Sequence, residues 1–187
     1  MRVVGLDPGL RRTGWGVIEA EGNRLRHVAH GVIEADPAQS LDRRLRDLHE
    51  ALLEMIAAQA PQEAAVEETL VNRNPDSTLK LGMARGIALM TPALAGLPVS
   101  EYLPLVVKKS IVGTGQASKE QIGVMVRQLL PGCGVRSADA ADALAVAICH
   151  VHHRATRRRW SGAVAARPAV LPKGLPGALP GAMEEPA

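Results

Sequence analysis

The chain has no phenylalanine, one tyrosine and two tryptophans, so aromatics make up only 2% of its 187 residues. Its core must be built from Ala, Val, Leu and Ile. There are two cysteines, Cys133 and Cys149, with no CxxC spacing. That excludes a disulfide scaffold and suits a reducing, cytoplasmic location. No apolar run approaches the roughly 20 residues needed to span a bilayer. The start of the chain lacks a basic stretch followed by a long apolar one, so no signal peptide and no membrane partner are expected. Neither sign of charge dominates. Lys and Arg number 22 against 19 Asp and Glu, for a net charge of +3. A pI near 9.2 permits a polyanion partner without demanding one. No internal repeat is visible.

What the chain does have is a run centred on Ser137 to Ile148, Ser-Ala-Asp-Ala-Ala-Asp-Ala-Leu-Ala-Val-Ala-Ile. Ala and Leu favour helix, no Gly or Pro interrupts, and Ser137 is placed to cap it. Its only charged side chains, Asp139 and Asp142, are three residues apart and share one face. Every other face is apolar, which predicts a helix packed on both sides. Two carboxylates in such a setting repel each other and are costly to desolvate, so something cationic should meet them. Helix capping accounts for Asp139 better than for Asp142.

Taken in order, Arg2 to Leu6 reads as a buried strand ending at Asp7, followed by a Pro8-Gly9 turn. Thr13 to Glu19 reads as a second strand, in which Gly14 and Gly16 leave room for a ligand or a backbone to come close. Asn23 to Ile33 completes an antiparallel meander. A helix opens at Ser40, carries Leu41, Leu45, Leu48 and Leu52 on one stripe, and stops before Pro61. Glu63 to Glu68 then reads as a strand after a crossover helix, hence parallel to an earlier one, with Glu67 near Asp7. A loop from Thr69 to Pro75 leads to a helix over Asp76 to Ala95. A short strand at 98–102, a helix over Pro104 to Val112, and a capping box Ser118-Lys-Glu-Gln121 opening a helix to Leu130 follow.

Asp7, Glu67, Asp139 and Asp142 thus come from separate elements to one place. Carboxylates alone suit hard cations with oxygen ligands, Mg²⁺ with Mn²⁺ as a substitute. Two such ions about 3.5–4 Å apart activate water and stabilise the leaving oxygen in phosphodiester hydrolysis.

The segments Gly5-Leu-Asp-Pro-Gly-Leu-Arg-Arg-Thr-Gly-Trp-Gly16, Val66-Glu67-Glu68, Asn74 to Gly86, Val112 to Lys119 and Ala138 to Ala147, in this order, resemble the RuvC family of Holliday-junction resolvases, within the RNase H-like superfamily. The likeness covers residues 1–153. It implies an α/β fold with a five-stranded mixed sheet flanked by helices. It implies a Mg²⁺-dependent homodimer that cuts two strands of a four-way DNA junction in recombination and repair, supplied by the RuvA–RuvB branch-migration complex. The catalytic and metal-binding acids carry over to Asp7, Glu67, Asp139 and Asp142. Where the family often has a base-stacking aromatic, this sequence has Leu70, which can wedge between bases but offers no π surface. Arg73, Lys80, Arg85, Lys108, Lys109 and Lys119 are candidate phosphate contacts.

Other readings compete. The opening Asp-Pro-Gly also resembles the phosphate loop of the sugar kinase and actin fold, but that fold needs a duplicated domain this chain is too short to hold. An RNase H-like nuclease acting on structured RNA could carry the same acids. A non-enzymatic binding module would not require them. Cys149, His150, His152 and His153 sit on one helix, where four ligands cannot all face one ion. From Arg154 the composition turns basic, then Pro-, Ala- and Gly-rich, and residues 154–187 are expected to form a disordered tail.

Overall fold

The computed structural model describes residues 1–68 and 74–165, residue 155 and residues 157–165 by their backbone alone. Five strands, β1 (Arg2–Asp7), β2 (Arg12–Glu21), β3 (Arg24–Glu34), β4 (Glu63–Glu67) and β5 (Val99–Tyr102), form one sheet in the order β3-β2-β1-β4-β5. The first three make an antiparallel meander, while β4 is parallel to β1 and β5 to β4. The expected five-stranded mixed α/β sheet is what forms. Among the described residues no helix is long and apolar enough to cross a membrane.

The strands are apolar on both sides, so each face of the sheet takes helices. Val3, Ile18 and Ala65 point to one face, which holds α3 (Pro104–Val112), α4 (Lys119–Leu129) and α5 (Ala138–Ala165). Val4, Val17, Ala64 and Val66 point to the other, against α1 (Leu41–Gln59) and α2 (Pro75–Leu94). Helix α5 is the central one. Ala140, Ala143 to Cys149 and Val151 are buried, which matches the prediction of a helix packed on both sides.

Glycines set how near α5 comes to the sheet. A Cβ on Gly5 would collide with the backbone of Ala143 and Ala147, and one on Gly14 with the carbonyl oxygen of Asp139. One on Gly16 would meet the Leu144 side chain. The bulk missing from β1 and β2 therefore makes room for a helix backbone, one of the two uses the sequence suggested.

Midway along α5, buried His150 lies 3.0 Å from the Tyr102 hydroxyl and 2.7 Å from Glu63, which also receives Arg154 at 2.8 Å. This ties α5 to β4 and β5. The expected change of state at Arg154 does not occur. Helix α5 runs on to Ala165, because nothing between Ala138 and Ser161 is Gly or Pro. Residues 166–187 lie outside the described residues. Both cysteines are unpaired and buried, and burial pushes the Cys149 thiol up to about 11.

Candidate active site

Parallel pairing brings Leu6 opposite Val66, so the next residues, Asp7 and Glu67, leave the sheet side by side. Asp7 is held from the other side by its register with Gly14. The Pro8-Gly9 turn is clamped by Thr13, whose hydroxyl donates to the Gly9 carbonyl at 2.8 Å and accepts from the Gly9 N–H at 3.2 Å. Because Gly14 also touches the backbone of Asp139, a single glycine positions Asp7 and the start of α5 together.

Asp7, Glu67 and Asp142 line one pocket of about 240 Å³, with Lys108 and Lys119 at its walls. The Asp7 and Glu67 carboxyls lie close enough that each influences the other's ionisation. Burial is the largest cause pushing both above the ordinary carboxylate range, Asp7 to about 6 and Glu67 to about 8, and mutual repulsion with Asp142 adds to it.

The two acids of α5 meet cations, as their crowding predicted. Lys119 Nζ lies 3.1 Å from Asp142 and Arg12 Nε 2.7 Å from Asp139. Hydrogen bonding to Asp142 raises the Lys119 ammonium further. Lys119 owes its place to the capping box beside it, in which the Ser118 N–H donates to Gln121 Oε1 at 2.8 Å and the Ser118 hydroxyl accepts from the Gln121 N–H at 3.3 Å. Asp139 is turned to Arg12 and is not part of the pocket wall. In this arrangement no three Asp, Glu, His or Cys among the described residues are gathered tightly enough to hold a metal ion. The donor chemistry nevertheless fits one. Four carboxylates, two of them raised by burial and mutual repulsion and two neutralised by cations, are a site that gains from a dication.

A family model described as "Crossover junction endodeoxyribonuclease RuvC" matches residues 3–150. A crossover junction endodeoxyribonuclease RuvC from Paramagnetospirillum magneticum is 62% identical over 165 residues, 88% of this chain and 99% of that protein. One from Gluconobacter oxydans is 63% identical over 156 residues, 83% of this chain and 93% of that protein. The solved structure of Thermus thermophilus RuvC in complex with Holliday junction substrate superposes with a TM-score of 0.75 at 33% identity, covering 84% of this chain and 96% of that one. The chain belongs to the RuvC family.

The other candidates of the sequence are dispersed. Lys108 faces the acidic pocket, while its neighbour Lys109 lines a separate cleft with Ser110 and His152. Lys80 pairs with Asp76 at 2.6 Å, and Arg85 donates from Nε to Glu101 at 2.9 Å, tying α2 to β5. Leu70 and Arg73 lie outside the described residues. Nor does the Cys149–His153 run gather into a metal site: His150 is engaged by Glu63 and Tyr102, and His152 lies 3.2 Å from the Ser110 hydroxyl. The residue that sequence reasoning missed is Arg12. The signal was available, since two clustered acids needed a cation and the β1–β2 hairpin that aligns Asp7 with Gly14 brings Arg12 to the same end.

Proposed function

We infer that this RuvC-family chain is a structure-specific endonuclease that resolves four-way DNA junctions by metal-dependent hydrolysis of phosphodiesters. The observation that carries this reading is the Asp7–Glu67 pair, two carboxylates at adjacent parallel strand ends in a pocket completed by Asp142. Asp7, Glu67, Asp139 and Asp142 would hold Mg²⁺, with Mn²⁺ as a substitute and two ions per site, and the metal would supply Lewis acidity and an activated water. The chain's own part is to position and to balance charge. Lys108 and Lys119 bring positive charge to a pocket that must accept a phosphodiester. Arg12 and Lys119 neutralise Asp139 and Asp142 in the arrangement described. Structured RNA is the weaker alternative, since the relatives' names specify a deoxyribonuclease.

Two opposed cuts need two active sites, and this chain offers one set of acids. A two-fold homodimer matches the symmetry of the junction. Helix α2 supports that assembly: Leu79, Met83, Met90 and Leu94 are exposed on it, and a Cβ on Gly82 or Gly86 would meet nothing within 4 Å. Ala84 and Ala88 turn inward and pack on the chain's own sheet. Delivery of junctions by the RuvA–RuvB complex, and a cytoplasmic location, belong to the same reading and rest on family membership and cysteine chemistry.

The test is cleavage of a synthetic mobile four-way junction beside linear duplex and structured RNA, with and without Mg²⁺. Paired Mg²⁺-dependent cuts in the junction are expected. Asp7→Asn and Glu67→Gln should each lower cleavage by about 10³-fold or more while leaving junction binding intact, because the amides keep shape but lose ligand charge. Wild-type cleavage by both variants would overturn the site assignment.

A further inference from the structure

A second cleft opens beside the acidic pocket, between the β1–β2 turn and the starts of α1 and α2. It holds about 560 Å³ and is lined by four cations, Arg11, Arg12, Arg44 and Lys80, with no Asp or Glu among its lining residues. Arg44 is the unusual member. It is partly buried, yet among the described residues it has no carboxylate partner. One of its N–H groups donates to the Leu10 carbonyl at 2.9 Å, and its Nε is buried with no hydrogen-bond partner. A half-buried guanidinium with an unsatisfied nitrogen is costly unless an anion joins it. The backbone adds to the demand. Arg44 stands in the first turn of α1 and Ser77 in the first turn of α2, where the positive end of each helix dipole favours an anion, although Asn74 already accepts from the Ser77 N–H and the Ser40 carbonyl from the Arg44 N–H.

The competing pairs are weak or lead to the catalytic acids. Lys80 binds Asp76 in a pair that is about half exposed or more on both sides, which contributes little. Arg12 reaches Glu34 at 2.9 Å and Asp139 at 2.7 Å. Arg12 therefore links the cleft to Asp139 at the start of α5, and Gly9 and Leu10 of the cleft follow Asp7 within three residues.

We propose that this cleft is a phosphate subsite, in which Arg44, with Arg11 and Lys80, binds a backbone phosphate of the same nucleic-acid strand whose neighbouring phosphodiester enters the acidic pocket. The subsite rests on the nuclease reading above. A guanidinium fork suits a phosphodiester's two free oxygens better than an ammonium does. Lys108 and Lys119 receive the strand at the acidic pocket, and Arg44 fixes its direction on the side of the β1–β2 turn.

The test measures junction binding without divalent metal, as a function of salt, for wild type, Arg44→Gln, Arg44→Lys, Arg11→Gln and Lys80→Gln. Arg44→Gln should weaken binding about 5–20-fold and lower the salt slope by about one unit, as removal of one phosphate contact does. Arg44→Lys should restore the slope but only part of the affinity. Because Arg44 also holds the Leu10 carbonyl, Arg44→Gln can loosen the turn. Arg11→Gln, which is exposed and makes no side-chain bond among the described residues, removes cleft charge without that effect and should cost about 2–5-fold. Junctions bearing a single neutral methylphosphonate, scanned along the cut strand, supply the decisive readout. At one position near the cut, wild type should lose affinity and Arg44→Gln should lose no more. Additive losses at every position, or wild-type affinity and slope in both Arg44→Gln and Arg11→Gln, would overturn the subsite. Equal thermal protection by inorganic phosphate and by junction DNA would also overturn it, assigning the cleft to a free anion. If wild type itself fails to cut junctions with Mg²⁺, it is the nuclease reading that fails; if it cuts and the Arg44 variants bind as wild type does, only the subsite fails.

Discussion

The two faces of the sheet are built on opposite plans. On one face α5 lies so close that Gly5 and Gly14 have no room for a methyl group. On the other, α2 buries Ala84, Ala88, Thr91 and Pro92 but leaves Leu79, Met83, Met90 and Leu94 exposed. In the proposed site the acids of α5 act with Asp7 and Glu67 through short side chains, and the helix that carries them is fixed by backbone contact. Helix α2 carries none of the four acids, and its outer surface is open to a partner. On the proposed reading, the catalytic acids and the dimer interface fall on different sides of the sheet.

The sharpest way to break this comparison is Gly14→Ala. The new methyl would enter the space of the Asp139 carbonyl. It must push α5 outward or bend β2, at a cost of about 3 kcal/mol. Asp139 would move away from Asp7 in the process, so cleavage should fall with stability. Denaturant unfolding and a junction cleavage assay check both. Stability within about 0.5 kcal/mol of wild type would mean that α5 adapts freely and that the close-packed face is not what positions the acids.

A smaller effect separates the cost of the site from the cost of the fold. Asp7 and Glu67 are raised above their ordinary values by burial, so in the metal-free protein the folded state holds protons that the unfolded chain releases. Their contribution to stability is fully present below the ordinary carboxylate range and is lost as pH rises through about 6 and about 8. The metal-free protein should therefore lose stability between pH 5 and pH 8 from this pair. Mg²⁺ should restore more of that at pH 8 than at pH 5, since it binds the ionised acids. His27, His30 and His152 are depressed, chiefly by burial, and act in the opposite sense around their ordinary range. The clean measure is thus the difference between wild type and Asp7→Asn, whose stability should be the higher of the two at pH 8. Parallel pH profiles for the two would remove the repulsion from the account of the site.

The close-packed face was also the more legible one in the sequence. Strand periodicity, the crossover rule and the uninterrupted Ala-rich run located β1, β4 and α5, and with them Asp7, Glu67, Asp139 and Asp142, because those signals are local. The need for a cation at Asp139 and Asp142 could be argued, but its identity depended on where a hairpin folds back. Arg12 was missed for that reason, and Lys119, expected only as a phosphate contact, was not expected to pair with Asp142. The small residues of α2 could not be sorted from sequence. Whether Gly82 or Ala84 faces the sheet depends on the rotation of the helix, and a stretch mixing apolar and small residues on all sides does not fix it. The composition change at Arg154 was a poor guide to helix α5, since basic residues continue a helix readily when Gly and Pro are absent.

That rotation gives the finest test of the contrast. Gly82→Ala and Gly86→Ala place methyl groups where nothing stands within 4 Å, the reverse of Gly14→Ala. Within one protomer each should raise stability by about 0.5–1 kcal/mol, through the lower helix propensity of glycine alone. In a dimer joined across this face the same methyls would separate the two helices, so self-association should weaken as the protomer becomes more stable. Unfolding in dilute protein and sedimentation at micromolar concentration read the two effects independently. Changes of opposite sign would identify the open face as the interface. A gain in stability with unchanged sedimentation would assign dimerisation to another surface while leaving the two-plan architecture intact, and a loss of stability in dilute protein would mean that α2 is packed more tightly than its exposed Leu79 and Met83 indicate.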